Sequence, residues 1–138
     1  MKKFLIAWLL AFGVMFGLAG VFNTVVIHDF VVANIKPDLL RTPPNMAFIM
    51  SGYVLLSLLM AYLYPRFVKE GAHSAQRGLG YGMLFGIVWL LPYSLVLHGA
   101  YQFPVKALLF DTAWALLEQG AGGAIIGFIY ARFGKQYF

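Results

Sequence analysis

Four long apolar stretches, separated by polar and proline-containing segments, dominate the chain. They cover residues 4–26, 46–64, 79–97 and 105–130. A helix needs about 20 residues, at about 1.5 Å each, to cross the roughly 30 Å of hydrocarbon in a bilayer. The pattern predicts an all-α, polytopic membrane protein in which four transmembrane helices form one compact bundle.

The composition agrees with this class. Of the 138 residues, 62% are hydrophobic and 11% are charged, which is far from the balance of soluble proteins. The length fits a single domain over residues 1–138. No cysteine is present, which excludes disulfides, thiolate metal sites and cysteine nucleophiles. The Met-Lys-Lys start resembles a signal peptide, but its apolar run is too long, so we expect a retained first helix.

The basic residues lie at the ends of the apolar stretches and predict the orientation. Cytoplasmic loops of membrane proteins carry an excess of Lys and Arg. With four spans, one side holds seven basic residues and the other three, which places both termini in the cytoplasm. The net charge of +5 then reflects topology and anionic headgroups rather than nucleic acid, which is not an expected partner. The larger set is Lys2, Lys3, Arg66, Lys69, Arg77, Arg132 and Lys135; the smaller is Lys36, Arg41 and Lys106.

The apolar stretches also show a faint internal repeat. Gly13 and Gly17 in the first span are spaced like Gly82 and Gly86 in the third, and a histidine follows each pair. The second and fourth spans also share residues of the same or similar type at matching positions near their ends. Repeated helices that point the same way suggest a duplicated helical hairpin. Coincidence remains the alternative, because membrane sequences use few residue types.

Glycines at helical spacing predict how the helices pack. In lipid, small residues let helix backbones approach closely. We expect these glycines to pack within one bundle, with a homodimer or another membrane protein as the alternative partner. They form one row on the first helix (Gly13, Gly17 and Gly20) and one on the fourth (Gly120, Gly123 and Gly127).

Two acids on the fourth span are the main candidates for function. Asp111 and Glu118 are seven positions apart, about two helical turns, with Trp114 between them on the same face. An acid at membrane depth is costly and normally faces a protein interior or an aqueous cavity. We therefore predict an outward-facing polar pocket that binds a proton or ligand. Its other candidate residues are Asn23, His28, Asp29, Tyr93 and His98.

The two acids have different expected surroundings. No basic residue falls at the depth of Glu118, so we expect it to be uncharged and to donate to Asn23, Tyr93 or a carbonyl freed by Pro92. A purely structural Glu118 is the alternative. Asp111 is nearer the outer surface, where Lys106 or Arg41 could pair with it.

Metal and catalytic chemistry have weaker support. His28 and His98 could act as haem ligands, or join Asp29 and Asp111 around a divalent ion. However, no paired metal-ligand spacing reinforces this, and we predict no metal and no cofactor. Nucleophile-elbow and nucleotide-binding motifs are absent. An intramembrane enzyme with the two acids as a pair stays open, although the sequence favours a protein that is not an enzyme.

The fourth span carries a resemblance. Gly82 and Gly86, then Tyr93, then LLFDTAWALLEQGAGGAIIG with its Asp-x-Ala-Trp pattern are similar to the second half of small four-helix bacterial inner-membrane proteins of unknown function. Asn23 stands where those proteins have an aromatic residue. The resemblance implies the four-helix architecture and a bacterial inner (plasma) membrane, but no chemistry.

Two functional classes follow from the sequence. One is a non-enzymatic membrane or accessory protein with an outward polar pocket. The other is a small permease or ligand-binding protein that uses Glu118 and Asp111 to bind a proton, a cation or a small polar molecule. Four helices enclose little volume, so transport would need a dimer around a shared path.

Overall fold

The structure, a computed structural model, describes residues 1–134. Lys135, which was counted among the cytoplasmic basic residues, lies outside them. Throughout this range the chain is helical or forms connecting segments, without a β-strand, so the all-α prediction is confirmed. The helices are α1 (Lys2–Val21), α2 (His28–Asn34), α3 (Met46–Phe67), α4 (Ala75–Ala100) and α5 (Val105–Gly134).

Three segments are long and apolar enough to cross a membrane: Lys2–Val26, Met46–Phe67 and Ala75–Ala100. The first consists of α1 and a π-helical turn at Phe22–Val26. α5 is the longest helix, with 30 residues, but its acids and Gln119 reduce its apolar character. Three spanning candidates are therefore established, and a fourth span stays a prediction.

α5 lies at the centre of the bundle. It packs along α4 on one side and α1 on the other, while α3 packs mainly on α1. The face that α1 buries consists of small or flexible side chains one turn apart: Ala7, Ala11, Met15 and Ala19. α3 and α4 meet where the loop 68–74 joins them, because Tyr64 and Tyr81 are in edge-to-face contact there.

The α4–α5 interface is made of glycine. A Cβ at Gly82 would fall on the Gln119 carbonyl oxygen, and a Cβ at Gly78 on that of Gly123. A Cβ at Gly127 would likewise collide with the Ser74 carbonyl oxygen and with the backbone of Gly78. The predicted packing role of the α5 glycines therefore has direct contacts within the chain.

The predicted role of the α1 glycines is wrong within this bundle. Gly13, Gly17 and Gly20 lie on the exposed side of α1, and an added Cβ at any of them would meet nothing within 4 Å. The helix packs through its alanine face instead, because that face is turned toward α3 and α5. Gly13 and Gly17 thus differ in their contacts from Gly82 and Gly86, so the suspected repeat does not extend to packing.

Pro65, inside α3, has its missing hydrogen bond replaced from another helix. Proline has no N–H, so the carbonyl four residues earlier, on Ala61, loses its helical donor. The buried hydroxyl of Tyr130 donates to this oxygen at 3.1 Å. Tyr81 donates in the same way to the Met60 carbonyl at 3.0 Å. Tyr130 of α5 thus replaces the donor that Pro65 lacks, whereas the bond from Tyr81 of α4 is added to a carbonyl that keeps its helical donor.

A first prediction concerns the glycine interface. We expect Gly82→Ala to lower the free energy of unfolding by about 1–3 kcal/mol, the usual cost of overpacking, because its methyl group would displace the α5 backbone. Gly13→Ala is the matched control and should be neutral or stabilise the helix by up to about 1 kcal/mol. Thermal unfolding in detergent, followed by circular dichroism, measures both. Equal effects at the two positions would contradict this interface.

A second prediction concerns Pro65. Tyr130→Phe should destabilise the protein by about 1–3 kcal/mol, because it leaves a buried carbonyl unpaired. In a Pro65→Ala background a backbone N–H becomes available to Ala61, so the same substitution should cost less. A double-mutant cycle of unfolding free energies measures the coupling. Tyr81→Phe is the control, since Met60 keeps its helical donor; an identical cost of Tyr130→Phe in both backgrounds would disprove the compensation.

Candidate functional site

Glu118 is the centre of a buried polar cluster on α5. Its side chain is 3% exposed. The hydroxyl of Tyr53, on α3, donates to Glu118 Oε2 at 3.2 Å, and the amide of Gln119 donates to Oε1 at 2.6 Å. Both donors are neutral, so the carboxyl group is held without a cationic partner among these contacts.

The cluster depends on the helices around it. Gln119 is 1% exposed and lies against Gly86 of α4, where an added Cβ would be 3.2 Å from Gln119 Oε1. Tyr53 is positioned by an edge-to-face contact with Phe16 of α1, with ring centroids 5.9 Å apart. Each of the four long helices therefore contributes to the position of Glu118 or of its partners.

In the described part of α5, three buried polar atoms have no hydrogen-bond partner within the chain. Gln119 Oε1 and Trp114 Nε1 are on residues next to Glu118 and one turn before it, and Thr112 Oγ1 is nearer the start of the helix. The Trp114 indole N–H lies on the Glu118 side but outside regular hydrogen-bond geometry, and its ring stacks on Phe22 at 4.8 Å. Buried polar groups are normally satisfied, and exceptions concentrate at functional sites. This cluster therefore has unused capacity for donors and acceptors.

The residues predicted to line an outward polar pocket are not gathered around Glu118. The first half of α5 is covered by aromatic contacts, Phe22 with Trp114 and Phe30 with Phe110. His28 and Asp29 are exposed on α2. A bend at Ile27 separates the π-helical turn from α2, and neither residue is a hydrogen-bond partner of Glu118, whose partners are Tyr53 and Gln119.

The expected partners of Glu118 are also wrong. Tyr93 is 59% exposed on α4, and the Asn23 amide donates to the Ala19 carbonyl of its own helix at 2.8 Å. The observed partners are Tyr53 and Gln119. Neither residue is among those predicted from the sequence, although an amide beside a buried acid is a readable signal.

Asp111 and Glu118 share a helix face but not an environment. Asp111 is only half-buried, and the basic side chain in its surroundings is His98 rather than the expected Lys106 or Arg41. Glu118 alone is enclosed. The site therefore reduces to one buried acid, with Asp111 nearer the start of α5.

The histidines are not arranged for a metal. In His98, Nδ1 is 2.8 Å from the Ser94 carbonyl oxygen and Nε2 is 3.1 Å from that of Pro104. The ring thus connects the end of α4 to the start of α5. Across residues 1–134, no group of three or more His, Cys, Asp or Glu side chains could hold a metal ion. His28, Asp29, His98 and Asp111 therefore do not form the metal centre considered above.

An apolar groove opens between α3 and α4; Tyr53 lines it, whereas Glu118 does not. We call it the α3–α4 groove; its volume is about 500 Å³. It exists because α3 and α4 are in contact near the loop 68–74 and have few contacts beyond it. Its lining is almost entirely hydrophobic and aromatic, and Tyr53 is its polar link to the acid. The lining residues are Phe48, Ile49, Gly52, Tyr53, Leu56, Leu59, Phe85 and Trp89.

In comparisons with known proteins, no family model, no curated protein and no solved structure matched the chain. The resemblance to small four-helix inner-membrane proteins therefore stays a prediction. The site is interpreted from its own geometry.

A third prediction separates the hydrogen bonds of Glu118 from its charge. Glu118→Gln keeps acceptor and donor groups in place and should change the free energy of unfolding by less than about 1 kcal/mol. Glu118→Leu leaves the Tyr53 hydroxyl and the Gln119 amide buried without their acceptor. It should cost about 1–3 kcal/mol. Chemical unfolding in mixed micelles measures both; a stable Leu variant would show that the cluster is not held as described.

Proposed function

We propose that the protein is an integral membrane protein with four spans. The length of α5, 30 residues, corresponds to roughly 45 Å, more than the hydrocarbon thickness. The polar residues Glu118 and Gln119 are compatible with a membrane-spanning α5, because they are buried in the bundle, where α5 packs on α1 and α4. Acids inside membranes typically face the bundle interior.

We further propose that both termini lie in the cytoplasm of a bacterial cell, in the inner membrane. Lys3 lies over the Tyr130 ring at 5.5 Å, which brings the start of α1 to the end of α5. The ends of α3 and α4 that flank the loop 68–74 reach the same cluster through Tyr64 and His73. The basic ends are thus grouped, as expected of a cytoplasmic face. The choice of the inner membrane rests on the resemblance.

For its activity, we propose a small proton-linked permease or ligand-binding protein in which Glu118 is the binding group. The observation that carries this is the enclosed Glu118 carboxyl, held by Tyr53 and Gln119 and lacking a cation. An ionisable group inside a membrane marks a proton or ligand path by default. Tyr53 and Gln119 are hydrogen-bonding groups, so the site is built to bind rather than to catalyse. A second copy of the chain would enclose a path that four helices cannot.

An accessory role is the second candidate, and the exposed face of α1 favours it. Gly13, Gly17 and Gly20 have open space around them. A glycine face of this kind suits close packing by a helix of a second copy or of another membrane protein. In that case Glu118 would serve the stability of the bundle only.

A fourth prediction tests the proposed activity. Liposomes containing the wild-type protein should show proton flux, driven by a potassium diffusion potential and read by an internal pH-sensitive dye. Glu118→Gln should reduce the flux about tenfold or more while the melting temperature is kept, because glutamine cannot carry the proton. Glu70→Gln, in the loop 68–74, is the matched control and should be unchanged. Wild-type liposomes as tight as empty ones would refute the permease and favour the accessory role.

A further inference from the structure

Tyr53 connects two surroundings of opposite character. Tyr53 lines the α3–α4 groove together with the aromatic side chains of Phe48, Phe85 and Trp89. Its hydroxyl bonds Glu118. Tyr53 is itself only half-buried, and among the residues that line the groove it is the one bonded to the acid.

The polar end of this arrangement is rich in acceptors. The Glu118 carboxyl group receives only neutral donors, and Gln119 Oε1 receives none. An ionised N–H donor on such acceptors makes hydrogen bonds about twice as strong as a neutral one. A positively charged group with N–H donors is therefore the best complement to Glu118 and Gln119.

The apolar end sets the other half of the ligand. A groove of about 500 Å³ lies within the range of roughly 300–1,000 Å³ typical of small-molecule sites. Its aromatic rings also attract cations. A neutral acyl chain would fit the hydrocarbon lining but would leave Glu118 and Gln119 Oε1 unengaged.

We infer that the site binds an amphipathic ammonium compound, with its apolar body in the α3–α4 groove and its N–H-bearing head at Glu118. The head replaces the Tyr53 hydroxyl on Oε2 and donates to Gln119 Oε1. The inference rests on the proposed function and names its ligand class. Entry is lateral, between α3 and α4, rather than through an outward polar pocket.

The test uses dansylcadaverine, a fluorescent aromatic compound with a primary ammonium group, and its N-acetylated form, which has lost the charge. The protein is placed in lipid nanodiscs. Energy transfer from tryptophan to dansyl reports binding, because Trp89 lines the groove and Trp114 lies one turn from Glu118. Trp8→Phe removes the remaining tryptophan of the three in the chain and serves as the background.

We expect saturable transfer with dansylcadaverine and only partitioning into lipid with the acetylated form. Glu118→Gln should weaken binding about tenfold or more. Gly52→Leu should also weaken it by filling the groove; an added Cβ at Gly52 meets nothing within 4 Å, and a melting temperature equal to that of the parent is the check that the variant folds. Glu70→Gln should bind like its parent. If Glu118→Gln does not fold, the test of the inference rests on whether Gly52→Leu weakens binding.

Equal binding of the two compounds, or unchanged binding in both Glu118→Gln and Gly52→Leu, would overturn the inference. Proton flux that depends on Glu118, without saturable transfer, would remove the ammonium ligand and leave the proposed function standing. Absence of both proton flux and saturable transfer would refute the ammonium ligand and the proposed function together.

Discussion

The close contact between the backbones of α4 and α5 is the constraint on which the site depends. Gly78 and Gly82 meet Gly123 and the Gln119 carbonyl so closely that no side chain fits between them. Lipid supplies no hydrophobic drive to hold two helices together, so such contacts provide the attraction through dispersion. They also fix the rotation of α5. With its glycines turned to α4, α5 directs Glu118 toward Tyr53 of α3.

This rotation explains why the most polar long helix is also the most enclosed. Glu118 and Gln119 are almost fully buried, whereas the apolar residues of α3 and α4 remain widely exposed. In a four-span arrangement, those exposed apolar residues face lipid. The inside-out distribution is what a bilayer solvent requires, because an unpaired polar group in hydrocarbon costs several kcal/mol.

How far the sequence predicted this fold depends on the range of the interactions. The helices were readable because hydropathy is a local property. Glycine spacing identified the α5 face correctly but failed for Gly13, because spacing does not tell which of two small-residue faces meets a neighbour. In α1, the face that includes Ala11 is the one that does.

The site was predicted in part for the same reason. Glu118 stood out because an acid in an apolar stretch is unusual in itself. Tyr53 lies 65 residues away in the chain, and nothing in the sequence near either residue indicates that they meet. His28 was misplaced because the π-helical turn and the break at Ile27 redirect the chain, which a simple count along a straight helix does not anticipate.

The hydrogen bond from the Tyr130 hydroxyl to the Ala61 carbonyl joins two helices that are synthesised at different times. α3 leaves the ribosome well before α5, so during that interval the Ala61 carbonyl beside Pro65 lacks the donor that it has in the folded protein. The first half of the chain therefore forms an intermediate in which this hydrogen bond is absent until α5 has been synthesised. A product that ends before Tyr130 would keep this carbonyl without its donor.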